Sequence, residues 1–247
     1  MIKKIDYWLL NLASDHPAYL RMIMPSDHPS MTEKYVDLRT PGLSTQGVIE
    51  SLNRLFQEGL LLAINDSIYK SLHGFSCSEP MLDELIPMGF IPSIQEIQRE
   101  FIYEEPFTPD KEALSIFLTP QAGKLWELIF QPEWNKYITR RGDSIIHKLY
   151  CVNPDIGKKL IEINHMIYYN DEFSHHLISG TEVWEKITPW RVNYWKTLPI
   201  GYCLSYQTER IPVNESQELI RERKKAHDFL MYIWRWYNKN YYDDLIV

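Results

Sequence analysis

Ser115-Ile116-Phe117-Leu118-Thr119-Pro120-Gln121-Ala122-Gly123-Lys124-Leu125-Trp126-Glu127 reads as a strand that runs straight into a helix. Its first residues include β-branched and aromatic side chains, which fit a pleated, half-buried surface. Thr119 stands where a helix N-cap belongs, because its hydroxyl can accept from a first-turn N–H. Pro120 suits the first helical position, where no N–H is needed. The helix is expected to end near Phe130, before Pro132. This junction speaks to fold and carries no chemistry.

Working outward, residues 44–62 give the clearest helix upstream. Ser44 or Thr45 caps it, and Val48, Leu52, Leu55 and Phe56 fall on one apolar face. Gly59 ends it, and 60–64 continue as a buried strand. Residues 5–24 read as a helix that breaks before Pro17 and resumes. Ser14-Asp15-His16-Pro17 recurs as Ser26-Asp27-His28-Pro29, which is turn chemistry. Short helices are expected at 81–87 and 93–103, the second capped by Ser93 with Glu96. Downstream, Arg140-Arg141-Gly142-Asp143 reads as a turn, 144–152 as a strand, 155–168 and 181–190 as helices, and 202–206 as a strand. A long amphipathic helix over about 215–239 ends the chain, with Asn214 and Gln217 as its capping box.

The charge map is uneven. The net charge is -7 over 247 residues, and residues 65–112 alone hold 10 acidic and 3 basic side chains. The remainder is close to balanced. A segment this acidic repels phosphates placed near it, which argues against a nucleic-acid face there. Glu79, Asp83, Glu84, Glu104 and Glu105 are its candidate contacts for a basic protein. The three cysteines, Cys77, Cys151 and Cys203, are scattered and form no CxxC pair, which fits a reducing cytosol and no disulfide framework. The apolar start is interrupted by Asp6 and is not expected to act as a secretory leader. No apolar run reaches the ~18 residues of a membrane span.

Val48-Ile49-Glu50-Ser51-Leu52-Asn53-Arg54-Leu55-Phe56-Gln57-Glu58-Gly59-Leu60 resembles the third helix of winged helix-turn-helix domains, where a Gly-Leu step leads into the wing. Phe117-Leu118-Thr119-Pro120-Gln121-Ala122-Gly123 resembles the segment that closes such a wing and opens the next helix. The resemblance covers about a third of the chain and implies a winged-helix fold for that part. Two departures limit it. The span between the motifs is far longer than a wing hairpin. The would-be recognition helix also offers Gln46, Glu50, Asn53, Gln57 and Glu58 with Arg54 as its one cation, whereas base reading and phosphate clamping use Arg and Lys. If DNA were bound, Asn53, Arg54, Arg140 and Arg141 would be the contacts.

Two further groups of residues stand out. Trp190, Tyr194 and Trp195 form an aromatic cluster able to stack a base, a sugar or a partner side chain, with burial in the core as the simpler reading. His165, Asp171, Glu172, His175 and His176 lie close in sequence, yet His175 and His176 are adjacent and point apart, so no metal site is expected. No Gly-x-Ser-x-Gly, P-loop or GxGxxG motif occurs, and no cofactor is expected.

The expected fold is therefore α+β and mostly helical. Residues 1–139 form a winged-helix-like region with the acidic insertion at 65–112, and 140–247 form an α+β region closed by the long helix; a single compact unit is the alternative division. The expected function is non-catalytic binding of another macromolecule in the cytosol, by preference a basic protein that is neutralised as an immunity protein neutralises its toxin. The alternatives are a DNA-binding regulator and a metal-dependent hydrolase built on His165, Asp171 and His175.

Overall fold

The Thr119–Pro120 junction organises the first part of the molecule. The computed structural model describes residues 3–25, 39–40, 44–73, 80–102, 113–142, 146–163, 166, 173–212 and 216–238. The chain divides into two units: Met1–Gln131 with Arg191–Lys196, and Pro132–Trp190 with Thr197–Val247.

The first unit begins with helix α1 (Lys4–Leu12), whose first turn is closed by Asp6 accepting from the Lys3 N–H at 2.6 Å. Strand β1 (Ala18–Tyr19), a 3-10 turn at Leu20–Met22, and the parallel pair β2 (Met24–Pro25) and β3 (Arg39–Thr40) follow. Helix α2 (Thr45–Gln57) is capped by the Ser44 hydroxyl and buries Val48, Ile49, Leu52, Leu55 and Phe56. Gly59 adopts φ +67, which only glycine takes cheaply, and lets the Leu60 N–H reach the Leu55 carbonyl at 2.9 Å.

Strand β4 (Leu61–Asn65) runs directly into helix α3 (Asp66–His73). Short helices α4 (Leu82–Leu85) and α5 (Ile94–Glu100) precede strand β5 (Leu114–Leu118) and helix α6 (Pro120–Phe130). The sheet order is β1-β5-β4, antiparallel throughout, and β5 is buried at every position, as a central strand should be. Thr119 caps α6 through the Ala122 N–H and donates its own hydroxyl to the Gly59 carbonyl at 2.8 Å, tying the end of α2 to the start of α6.

The second unit is a curled antiparallel sheet, a half-barrel. Strands β6 (Ile138–Gly142) and β7 (Ile146–Cys151) pair with each other. Helix α7 (Pro154–Glu162) follows, capped by Asn153. After it come β8 (Phe173–Leu177), β9 (Val183–Ile187) and the short β10 (Trp190–Arg191) and β11 (Thr197–Leu198). The long strand β12 (Gly201–Pro212) carries β7 along one edge, and β9 then β8 along the other. Helix α8 (Gln217–Asn238) ends the described chain. Leu149 and Leu204 of the sheet, Leu160 and Ile161 of α7, and Ile233 of α8 share one core.

The expectation of a mostly helical fold is corrected here: among the described residues helix accounts for 48% and strand for 27%. Residues 181–190, expected as a helix, hold β9, because Glu185 and Lys186 favour a helix locally while pairing with β12 sets Trp184 opposite Leu204. Arg140, Arg141 and Gly142, expected in a turn, are the end of β6. The expected resumption of the first helix after Pro17 is instead β1 and a 3-10 turn, since β5 offers Ala18 and Tyr19 a partner strand. Asn214 lies outside the described residues; the Ser216 hydroxyl accepts from the Leu219 N–H at the start of α8. Among the described residues no helix is long and apolar enough to cross a membrane.

Candidate functional site

The acidic segment between β4 and β5 puts its carboxylates to four different uses. Asp66 is buried, accepts from the Ser115 hydroxyl at 3.3 Å and pairs with Lys70 at 2.5 Å, which raises the Lys70 pKa chiefly through that hydrogen bond. Glu100 is buried against Arg21 at 3.0 Å and also accepts from the Leu114 N–H at 3.2 Å. Burial still holds the Glu100 carboxyl above its ordinary range, against the pull of those partners. Glu96 accepts from both the Ser93 hydroxyl and the Ser93 N–H at 2.7 Å, and these bonds lower its pKa. Asp83 and Glu84 of α4 face solvent, with Glu84 reaching back to cap the Met81 N–H at 2.7 Å. Glu79, Glu104 and Glu105 lie outside the described residues, so Asp83 and Glu84 are the predicted contacts that can be placed.

Immediately after α4 the chain forms a 3-10 turn at Ile86–Met88 and a short ribbon. Phe90 exchanges both backbone bonds with Ala63 of β4, at 2.9 and 2.8 Å. Gly89 passes so close to the sheet that a Cβ there would meet Phe117 Cζ at 2.8 Å and Leu62 Cδ1 at 3.1 Å, which is why the position is glycine. On either side of these anchors Ile86, Met88 and Ile91 stand 41%, 49% and 48% exposed. Sequence reasoning missed these three. Their signal was Ile86-Pro87-Met88-Gly89-Phe90-Ile91-Pro92, an uncharged apolar run with neither helical nor strand period inside the most acidic segment.

Of the residues of the nucleic-acid alternative, Asn53 and Arg54 belong to the first unit and Arg140 and Arg141 to the second. Arg54 of α2 is ion-paired to the buried Asp6 of α1, and Asn53 beside it is half-buried. The exposed side chains of α2 are Gln46, Glu50 and Gln57, followed by Glu58. Arg140, in the second unit, donates to the Tyr206 hydroxyl at 2.6 Å on the sheet face that packs the core. His147 stacks on the same Tyr206 ring, and its Nε2 lies 2.9 Å from the Thr208 hydroxyl. Arg141 is the next residue of β6.

The aromatic cluster is largely internal. In the first unit Tyr194 is fully buried; its hydroxyl donates to the Ala13 carbonyl at 2.5 Å and accepts from the Leu118 N–H at 2.8 Å, while its carbonyl accepts from the Leu82 N–H. Trp195 is half-buried, donates from Nε1 to the Ser14 carbonyl at 2.6 Å and meets Trp126 edge-on. In the second unit Trp190 is buried against Gly201 and the Tyr137 ring.

His165, Asp171 and Glu172 of the hydrolase alternative lie outside the described residues. His175 and His176 are in β8, where His176 Nε2 lies 2.8 Å from the Ser174 hydroxyl. Among the described residues no group of His, Cys, Asp and Glu is placed to hold a metal ion. Comparison with protein families, with characterised proteins and with solved structures finds no match to this chain.

Proposed function

We propose that this chain is a non-catalytic binding protein whose partner is another protein carrying a basic surface, engaged through the acidic insertion of the first unit. One observation carries the reading. The exposed polar side chains of α2 and α4 are acids or amides, and the one cation on α2, Arg54, is committed to Asp6. Such a surface steers cations in and keeps phosphates out. Neutralisation of a basic toxin by an immunity-type protein is the form of binding these charges suit. Cytosolic residence goes with this proposal, since Cys151 and Cys203 are free and neighbours in register place them on opposite faces of the sheet.

A winged-helix core in the first unit belongs to the same proposal. The β1-β5-β4 order, with α2 leading into β4, supports it. A winged-helix regulator of transcription is the second reading, and it would have to draw its phosphate contacts from outside α2.

The test is capture from native cells at low salt, comparing wild type with the double variant Asp83→Lys, Glu84→Lys. A basic protein that is retained by wild type, released by salt and lost with the double variant is the expected result. Retention of duplex DNA in its place, weakening steeply with salt, would overturn the reading in favour of the regulator.

A further inference from the structure

We infer that Ile86, Met88 and Ile91 form the anchor of the partner contact, and that it receives a protein segment in which apolar side chains stand beside Lys or Arg. The inference rests on the protein-binding reading above and adds the place and the chemistry. Single exposed apolar residues are ordinary on any surface. Three large ones within one short stretch, on a backbone that cannot turn them inward, are different.

The backbone beneath the ridge is fixed from several sides. The Gly89 N–H bonds to the Ile86 carbonyl at 3.1 Å, Phe90 is bridged to Ala63 by two bonds, and Gly89 lies against Phe117 and Leu62. Leu85, just before the ridge, is fully buried. Turning the exposed side chains inward would break the bridge to β4. An anchor already held in shape loses little freedom on binding, so more of its burial appears as affinity.

Charge selects the occupant. Asp83 and Glu84 are exposed directly before the ridge. An apolar segment without cations would strip water from these carboxylates without replacing it. A second copy of this chain, related by a two-fold axis, would set the same acids against each other. A segment with Lys or Arg at the edges of an apolar stripe meets both requirements.

The experiment is fluorescence anisotropy of labelled peptides against the full chain. The first peptide forms a Leu/Lys amphipathic helix, the second has every Leu replaced by Ser, and the third has every Lys replaced by Glu. The first is expected to bind, with affinity falling about tenfold for Met88→Ser and again for Ile91→Ser. Both positions are exposed, and unchanged circular dichroism of the variants verifies the fold. If the Leu-free peptide binds as tightly as the first, the ridge is not the anchor, while binding through the acids survives. Equal binding of the Glu peptide would overturn the assigned occupant. Binding of none of the three would overturn both this inference and the protein-binding reading. A concentration-dependent dimer abolished by Met88→Ser would assign the ridge to a second copy and overturn the proposal.

Discussion

Arg21 and Glu100 form an ion pair at 3.0 Å in which neither side chain reaches solvent. Arg21 lies in the 3-10 turn after β1 and Glu100 at the end of α5, so the pair fastens the acidic segment to the body of the first unit. Removing Arg21 leaves the buried Glu100 carboxylate to the half-buried Arg99, 3.7 Å away, and the Leu114 N–H, a weaker compensation. Arg21→Met should cost about 3–5 kcal/mol, read as a lowered urea midpoint, and Arg21→Met with Glu100→Leu should recover much of it.

The same helix gives two opposite responses to pH. Burial holds Glu100 above the ordinary carboxylate range, so its contribution is fully present below the unfolded pKa and is lost as pH rises through the folded value. Bonds from Ser93 hold Glu96 below that range, so its contribution is present above the unfolded pKa and is lost as pH falls through the folded value. Ser93→Ala should therefore cost about 1 kcal/mol at neutral pH and less in acid, because the cap also loses its charged partner there. The deficit of Arg21→Met should also shrink in acid, but from a higher pH, because Glu100 with its raised pKa takes up its proton before Glu96 does. Urea titrations at a series of pH values from neutral into acid separate the two.

Tyr194→Phe keeps the ring and deletes the hydroxyl that serves Ala13 and Leu118. The Leu118 N–H and the Ala13 carbonyl then sit buried with one bond fewer, at a cost of about 1–3 kcal/mol. Faster hydrogen exchange at the Leu118 amide, with little change in the second unit, is the expected signature.

Gly123 and Gly59 are glycines for different reasons, and alanine tells them apart. A Cβ at Gly123 would lie 2.5 Å from Trp195 Cε3, and that ring is pinned by its bond to Ser14 and its edge contact with Trp126. Gly123→Ala gains about 1 kcal/mol of helix propensity but should lose about 1–3 kcal/mol to overpacking, and the fixed ring makes the loss win. At Gly59 nothing lies within 4 Å of the added Cβ, so the cost is the left-handed backbone alone, about 1–2 kcal/mol. Near-ultraviolet circular dichroism should change for Gly123→Ala and stay constant for Gly59→Ala.

Burial pushes the Cys151 thiol up to about 12, so it stays protonated at physiological pH. In the native chain Cys151 should resist iodoacetamide at mildly alkaline pH and react once the chain is unfolded in urea. Mass spectrometry of peptides from each state reads this directly.

What could be read beforehand follows from how local each signal is. The Thr119 cap, Pro120 at the first helical position, the Ser93–Glu96 box and the Gly59 stop are written within a few residues, and the structure has each of them. The half-barrel was hidden because its pairings are not local: Val183–Ile187 becomes a strand only in the presence of β12. Neither could the roles of the acids be told from composition. Asp66 and Glu100 look like surface charge until Ser115, Lys70, Arg21 and Leu114 are placed around them. The exposed ridge escaped notice because Ile86, Met88 and Ile91 follow no period, and their exposure is set by the Phe90–Ala63 bridge.

Strand β12 faces Tyr150 and Glu185 at the single residue Cys203, and its far half faces β8. A slip of one position would have to be repeated in every one of these ladders together, and it would turn Leu204 and Tyr206 outward. The strand thus acts as a ruler shared by its neighbours. Mistakes in assembling this half should be all or nothing, with no half-correct sheet for the chain to linger in.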